Sequence, residues 1–424
     1  GGKVEIEKLT VNKSANLNVG KDASIKDSSM AKVEAKVTGN ATINNLSNNQ
    51  LTANIGGKAA ISNLKGNEST SLTVGKDASI TNSQMGNLNA QIGGNATIEN
   101  LANNQLKANI GGNATINKLT GNKTSDLTIS KDASFTNSQM DKLNAKIGGN
   151  AKIDNLANSE FVSTIGGNLD IASMTSNTMT TKVGGYANIA DAKIGSLNAE
   201  IASDTIIYNL VNNQLTARIG GKVEIEKLTG NKSAKLTAGK DATIKDSSIE
   251  KLEAEVKGNT TVNNLVNSLL AANIGGNATI HNLTGNKSAQ LSIGNDAFIT
   301  ESSIDVLKAS VNGNADINKL TNKSSDLTVV KDASITSSQM GKLNAKIGGN
   351  ADISNLTSDN VTTQIDGNAS LTDSKVGILN SKITGDTAIK NVENNELTAD
   401  IGGKVEIEKL TVNKSANLTV SKDS

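Results

Sequence analysis

The side chains best suited to acid–base, nucleophilic or metal chemistry are almost absent from this sequence. It contains one His (His281), no Cys, and Arg218 as its single Arg. An imidazole that acts as a catalytic base needs partner side chains to orient it. His281 follows Ile280 in a recurring apolar pattern that directs it outward, so we interpret it as an ordinary surface residue. We therefore predict no catalytic residue, no cofactor site and no metal site, and hence no enzyme.

Three short motifs could carry chemistry, and each has a simpler interpretation. Calcium-binding nonapeptide repeats use Asp in a glycine turn, whereas the Gly-Gly turns here lead to Asn or Lys, as in Gly93-Gly94-Asn95. Sequons for N-glycosylation leave modification of an exposed surface open, and they include Asn40, Asn95, Asn122 and Asn277. A recurring Lys-Asp pair is most simply a solvated charge pair, and it occurs at Lys21-Asp22, Lys76-Asp77, Lys131-Asp132 and Lys240-Asp241.

Composition argues against several classes of protein. The 42 basic and 41 acidic residues are interspersed, so there is no basic stripe of the kind that binds nucleic acid. No apolar run is long enough to insert into a membrane. With no Pro or Trp, three Phe and two Tyr, the chain lacks the aromatic volume of an ordinary globular core. The sequence predicts a thin core lined by Ile, Leu, Val and Ala.

An internal repeat covers the whole chain. It divides into 23 lines, six of 19 residues and seventeen of 18, with residues 421–424 left over. In residues 93–110 (GGNATIENLANNQLKANI) the apolar positions are 4, 6, 9, 14, 16 and 18. Position 6 is apolar in every line, as in Ile6, Ile25 and Ile43, and the last position is apolar in every line too. Such self-similarity at a fixed period is typical of a solenoid.

Apolar residues alternate with period two across the Gly pair, which predicts strands with one buried face. The fold class is therefore all-β, a single-stranded parallel β-helix (β-solenoid) of about 23 rungs of 18–19 residues. Asn or Asp fills most of position 8, as in Asn45 and Asn100, and Gly marks the turns, since both tolerate left-handed backbone. We expect stacked Asn ladders. The rule of a left-handed hexapeptide helix fails at position 12, which favours a right-handed coil.

The 19-residue lines carry their extra residue at one corner, between Leu119 and Leu127 in residues 111–129. Over longer distances GGKVEIEKLT recurs at Gly1, Gly220 and Gly402. One continuous solenoid over 1–424 would then contain tandem units 1–219 and 220–401, and the start of a third unit, 402–424. Because open strand edges need covering, we expect either that further rungs follow or that copies stack end to end.

Openings of the form G-x-x-A-x-I, the rung period and the Asn-rich runs resemble the shafts of filamentous-haemagglutinin-type bacterial exoproteins. The resemblance implies a right-handed β-helical shaft of an extracellular or cell-surface fibre or fibrous adhesin, acting as a rigid spacer or filament body. Its partners would be itself, by rung stacking or filament assembly, and cell-surface glycans. Two alternatives stay open. They are an intracellular cytoskeletal polymer of the bactofilin kind and a passive glycan-binding solenoid.

Two other solenoid activities fit the residues poorly. Pectate-lyase-like enzymes, which share this architecture, need clustered carboxylates and Arg in a groove, and the chain has one Arg. Ice-binding solenoids present regular Thr ladders, whereas the outward column at position 5 is mixed. It includes Thr97, Ser79, Glu5, Lys152 and Asp170.

Overall fold

The computed structural model describes residues 2–421, with all of their side chains but that of Asn67. The chain divides into two compact units, Gly1–Asn212 and Asn213–Ser424. Two short segments lie outside the described residues. They are Gly1, which the sequence assigns to the first rung, and residues 422–424, which it assigns to the start of a further rung. The repeat units 1–219, 220–401 and 402–424 stay a prediction.

The described residues form 34 strands and no helix. The first fifteen are β1 Val4–Glu7, β2 Thr10–Val19, β3 Ala23–Val37, β4 Ala41–Ile55, β5 Ala59–Ser62, β6 Asn67–Val74, β7 Ala78–Ile92, β8 Ala96–Ile110, β9 Ala114–Thr120, β10 Asn122–Ile129, β11 Ala133–Ile147, β12 Ala151–Ile165, β13 Leu169–Val183, β14 Ala187–Ile201 and β15 Thr205–Ile219.

The others are β16 Val223–Glu226, β17 Asn231–Ala238, β18 Ala242–Val256, β19 Thr260–Val266, β20 Leu269–Ile274, β21 Ala278–Thr284, β22 Asn286–Ile293, β23 Ala297–Thr300, β24 Ile304–Val311, β25 Ala315–Asn318, β26 Thr321–Val329, β27 Ala333–Thr336, β28 Gln339–Ile347, β29 Ala351–Ser354, β30 Thr357–Ile365, β31 Ala369–Thr372, β32 Lys375–Ile383, β33 Thr387–Ile401 and β34 Val405–Val420.

Strands pair in parallel with the strands one rung before and one rung after. Ile98 of β8 lies between Ile80 of β7 and Ile116 of β9, and Leu106 lies beside Leu88 in the same register. Each residue therefore faces the equivalent residue of the neighbouring line. The predicted fold is confirmed, since the stacked coils form a β-solenoid of about 23 turns.

The apolar columns predicted from the sequence lie inside. In the rung 93–110 the buried residues are Ala96, Ile98, Leu101, Asn103, Leu106, Ala108 and Ile110. Six of these seven occupy the predicted positions 4, 6, 9, 14, 16 and 18. The seventh, Asn103 at position 11, is a buried polar residue that the sequence pattern did not reveal.

Position 8 forms the left-handed corner that its Asn and Asp residues predicted. Asn100 has φ 51° and Asn155 has φ 56°. Lys8, Lys118 and other residues take the same conformation in rungs that lack Asn or Asp, and Ser173 is the exception. The local geometry is therefore set by the fold, and Asn and Asp fill it with the least strain.

The extra residue of the 19-residue rungs also lies where it was predicted. Gly121 separates β9 from β10 and has φ 70°. Gly66, Gly230 and Gly285 have the same left-handed backbone at the equivalent place in their rungs. A single-residue bulge at this corner lets a longer rung stack in register on shorter ones.

The sequence suggested that Gly pairs open the rungs because Gly tolerates left-handed backbone. The structure gives a different reason. Among the described glycines, only the four bulge glycines have left-handed backbone. A Cβ atom on Gly93 would lie 2.5 Å from the carbonyl oxygen of Gly75, and one on Gly56 would lie 2.5 Å from that of Thr38. Close approach of neighbouring rungs therefore favours Gly at this corner.

Large and small side chains change places where a 19-residue rung lies against its 18-residue neighbours. In the 19-residue rung 56–74, Leu72 stacks between Ala53 and Ala90, while Thr70 stacks between Leu51 and Leu88. The longer rung thus reverses the order of large and small residues found in its 18-residue neighbours. Between two 18-residue rungs like side chains stack instead, as Leu88 does on Leu106 and Ala90 on Ala108, so the core is filled by both arrangements.

We expect Ile98→Asp to destabilise the rungs around it by about 3–5 kcal/mol, because it leaves an unpaired charge between Ile80 and Ile116. Thr97→Asp, on the outward side of the same strand, is the matched control and should leave stability nearly unchanged. Amide hydrogen exchange of β7, β8 and β9 measures both. Equal exchange in the two variants would contradict the assignment of inner and outer faces.

Candidate functional site

His281 lies on the outer face of β21, as its place in the pattern predicted, with 42% of its side chain exposed. Its Nδ1 atom is 3.0 Å from Oγ1 of Thr300, and its Nε2 atom is 3.8 Å from a carboxylate oxygen of Glu301. The sequence had suggested no partner for this imidazole. The partners come from the next rung, at positions that only the stacking register identifies.

The main partner of the Glu301 carboxylate is Lys319. The Nζ atom of Lys319 is 2.8 Å from Glu301, and this hydrogen bond and charge lower the pKa of Glu301. The backbone N–H groups of Glu301 and Ser303, close to Thr300 in the chain, are hydrogen-bonded to neighbouring rungs. A Thr nucleophile would need free donors to stabilise a developing oxyanion. The cluster is typical of an exposed ion pair joined to a polar neighbour.

The Asp of the Lys-Asp pairs has a structural contact that the charge-pair interpretation missed. Oδ1 of Asp77 accepts a hydrogen bond of 2.9 Å from the backbone N–H of Asn95, and Oδ1 of Asn95 accepts one of 2.8 Å from Asn113. The third residue of one rung thus satisfies the backbone of the next. We call this series the corner ladder. It recurs in the second unit, for example from Asn277 to Oδ1 of Asn259 at 2.8 Å.

At Asp77 the corner ladder depends on pH. The N–H of Asn95, followed by the ammonium group of Lys58, lowers the pKa of Asp77 below 3.8. A carboxyl group with a lowered pKa stabilises the fold fully above its unfolded pKa. It loses that contribution as the pH falls through the folded pKa.

A second ladder follows the left-handed corner, as the sequence predicted. Nδ2 of Asn100 donates to Oδ1 of Asn82 at 2.8 Å, and Asn282 donates to Asn264 at 2.8 Å. Where Lys or Glu occupies the position, the Asn series is interrupted. The ladder therefore adds local stabilisation to a corner that the backbone already forms.

Buried pairs of Asn lie inside the core at the position of Asn103. Nδ2 of Asn122 donates to Oδ1 of Asn103 at 3.0 Å, and Asn103 donates to the backbone carbonyl of Gln105 at 2.7 Å. In the second unit Asn286 donates in the same way to Asn267 at 2.7 Å. Buried amides of this kind are stable only when they are hydrogen-bonded. The repeated Asn at position 11, exchanged for Met85 or Ile249 in other rungs, was the available signal.

Two of the shallow surface hollows in the second unit are described by their lining. One, of about 520 Å³, lies over the small side chain of Ala271, between Glu253 and Gln290. The other, of about 420 Å³, has Phe298 at one end, with the carboxylates of Asp316 and Asp352 along it. Phe298 is 40% exposed. An exposed ring beside polar side chains offers an apolar face and hydrogen-bonding groups to a ligand.

Residues 2–421 contain no group of three or more His, Cys, Asp or Glu side chains placed to hold a metal ion. They contain no helix with the length and apolar character needed to cross a bilayer.

We expect Asn150→Leu to weaken the corner ladder. The N–H of Asn168 loses its 2.8 Å acceptor, which should cost about 0.5–1.5 kcal/mol locally. Asn150→Asp is the matched control, because it keeps an acceptor oxygen at the same place. The measurement is the exchange rate of the Asn168 amide. Faster exchange in both variants, or in neither, would contradict the role assigned to this oxygen.

The chain was compared with protein families, curated proteins and solved structures. No family model, no curated protein and no solved structure matches it. It is a β-solenoid repeat protein by its own geometry.

Proposed function

We propose that this chain is a structural segment, the shaft of a fibre, and that its function is to extend rather than to catalyse. The observation that carries the proposal is the strict register of the rungs. Ile98, for example, faces the equivalent Ile of both neighbouring rungs. A fold that stacks one residue type on itself is suited to length, because each rung needs only its two neighbours.

The outer surface supports a spacer role. Lys and Glu of successive rungs pair across the exposed face, as between Lys182 and Glu200 at 2.9 Å and between Lys142 and Glu160 at 3.1 Å. Such exposed pairs contribute little stability. They do keep the surface charged and mixed in sign, which favours solubility along a repeated structure.

An extracellular or cell-surface fibre of bacterial origin is the setting we propose, by resemblance to filamentous-haemagglutinin-type shafts. The resemblance rests on rung length and composition. An adhesin shaft would hold a binding tip away from the cell, and tandem duplication of whole units would lengthen it without a new core.

Passive glycan binding is a second candidate, and the hollow at Phe298 favours it. Its aromatic face and the carboxylates of Asp316 and Asp352 are groups that bind the apolar and hydroxyl faces of sugars. Binding to a glycan array that is lost in Phe298→Ala, with the fold intact, would support this role. A pure spacer would bind no glycan.

Localisation tests the fibre proposal. Antibodies against the chain should label filaments on the outside of intact cells of the source organism. Denaturing gels of those filaments should show a polypeptide larger than 43.6 kDa. A cytosolic band near 43.6 kDa, without surface label, would contradict the fibre and favour the bactofilin-like polymer.

A shaft should tolerate the loss of whole rungs. Deleting residues 93–110 removes one rung and would bring Leu88 and Ala90 onto Ser125 and Leu127, which keeps large residues on small ones. We expect this variant to fold with a circular dichroism spectrum like that of the parent. Deleting residues 93–101, half of a rung, should disrupt folding because it destroys the register on both sides. Equal damage from the two deletions would contradict rung-by-rung assembly.

A further inference from the structure

One outward surface of the second unit carries charge of a single sign. Positions 3, 5 and 7 of the five rungs in residues 294–383 provide fifteen side chains, of which ten are Asn, Ser or Thr, one is Phe298 and four are carboxylates. The four are Asp296, Asp316, Asp332 and Asp352. No Lys, Arg or His occupies these positions. We call this surface the acidic face, and the hollow of about 420 Å³ lies on it.

The protein itself does not neutralise these carboxylates. Other acidic side chains pair with Lys of a neighbouring rung, as Glu301 does with Lys319 at 2.8 Å. Among the described residues, Asp316 and Asp352 have neither an ion pair nor a side-chain hydrogen bond. Asp332 accepts a backbone N–H of the next rung at 2.6 Å, which leaves its charge in place. In a chain with 42 basic and 41 acidic residues, the acidic face is a local excess of negative charge that attracts cations.

The two unpaired carboxylates share one column with the exposed ring. The strand register places Phe298 beside Asp316, Asp316 beside Ser334, and Ser334 beside Asp352. Neighbouring parallel strands lie about 4.8 Å apart, so the strands that carry the two carboxylates are about 9.6 Å apart. Phe298 is one rung from Asp316. A cation held by Asp316 is therefore close enough to contact the face of the ring as well.

We propose that the acidic face binds an oligosaccharide of amino sugars, with ammonium groups on Asp316 and Asp352 and a sugar ring on Phe298. This inference rests on the passive glycan binding considered above and names the class of glycan. In an extended β-1,4-linked chain every second sugar presents the same side, and this repeat is close to the two-rung spacing of the carboxylates. Hydroxyl groups between them, such as that of Ser334, are available to the sugar hydroxyls.

Charge and shape together favour this ligand over the alternatives. One exposed ion pair contributes little to binding, so a ligand of the acidic face has to make several contacts from one chain. Once the first contact has formed, the second becomes intramolecular and is made at a high effective concentration. A linear polyamine carries the charges but has no ring to lie on Phe298. A glycan with carboxylate or sulfate groups would be repelled.

Isothermal titration calorimetry of the full chain tests the proposal with the β-1,4-linked hexamer of glucosamine. Its fully N-acetylated counterpart has the same linkage and length and no charge. We expect the glucosamine hexamer to bind about tenfold more tightly at low ionic strength, and the difference to shrink as salt is added. Equal affinity for the two hexamers would overturn the proposal and leave neutral glycan binding intact. Failure of the glucosamine hexamer to bind would also overturn it, and the glycan array would then decide on neutral glycans.

Variants locate the site. Asp316→Asn with Asp352→Asn keeps the shape of both side chains and should reduce the affinity for the glucosamine hexamer to that of the acetylated one. Phe298→Ala should weaken binding of both hexamers. The matched control is Asp359→Asn with Asp400→Asn, which removes two exposed carboxylates outside the acidic face and should leave the affinity unchanged. Circular dichroism checks that each variant folds.

Two results with these variants would contradict the assignment. Equal losses in the two double variants would mean that the net charge of the chain, and not the acidic face, attracts the ligand. Unchanged binding in Phe298→Ala would mean that any linear polycation fits. The shaft proposal stands apart from both results, because localisation and rung deletion test it.

Discussion

Hydrogen bonding between equivalent backbone positions of successive rungs is the interaction on which the rest of this structure depends. Neighbouring parallel strands lie about 4.8 Å apart, so every side chain has its own counterpart above and below it. The sequence must therefore satisfy each column separately. This explains why the period stays near 18 residues and why a nineteenth is accepted at one corner. Left-handed Gly residues such as Gly121 absorb it in four rungs, and a register shift between Val11 and Ser14 absorbs it in the first.

The same register determines how polar groups are satisfied. Where a strand bends at a corner, some backbone N–H groups need an acceptor from a neighbouring rung. Side-chain oxygens of Asp77, Asn95 and Ser28 accept these hydrogen bonds. Inside the core, Asn103 and Asn122 share their amide groups. The bond between these two amides favours one register over its neighbours, since a slip would break it.

Much of the fold was predictable because burial repeats on every rung. Columns such as that of Ile98, and the left-handed corner at Asn100, follow from residue types at fixed spacing. Asn103 was missed because a polar residue was taken to point outward, and only its neighbours' amides make its burial favourable. The partners of His281 and the role of Asp77 were missed because they depend on contacts 18 or 19 residues away. The right-handed winding of the coil stays a prediction from the sequence.

Stability that grows one rung at a time is the central claim of this account, and a length series measures it most directly. Chains of increasing numbers of whole rungs, taken from the first unit, would be unfolded in denaturant and fitted to a nearest-neighbour description. The account predicts that the free energy of unfolding rises by a nearly constant increment with each added rung. A stability that jumps at one length and then stays constant, as for a closed globular core, would contradict it.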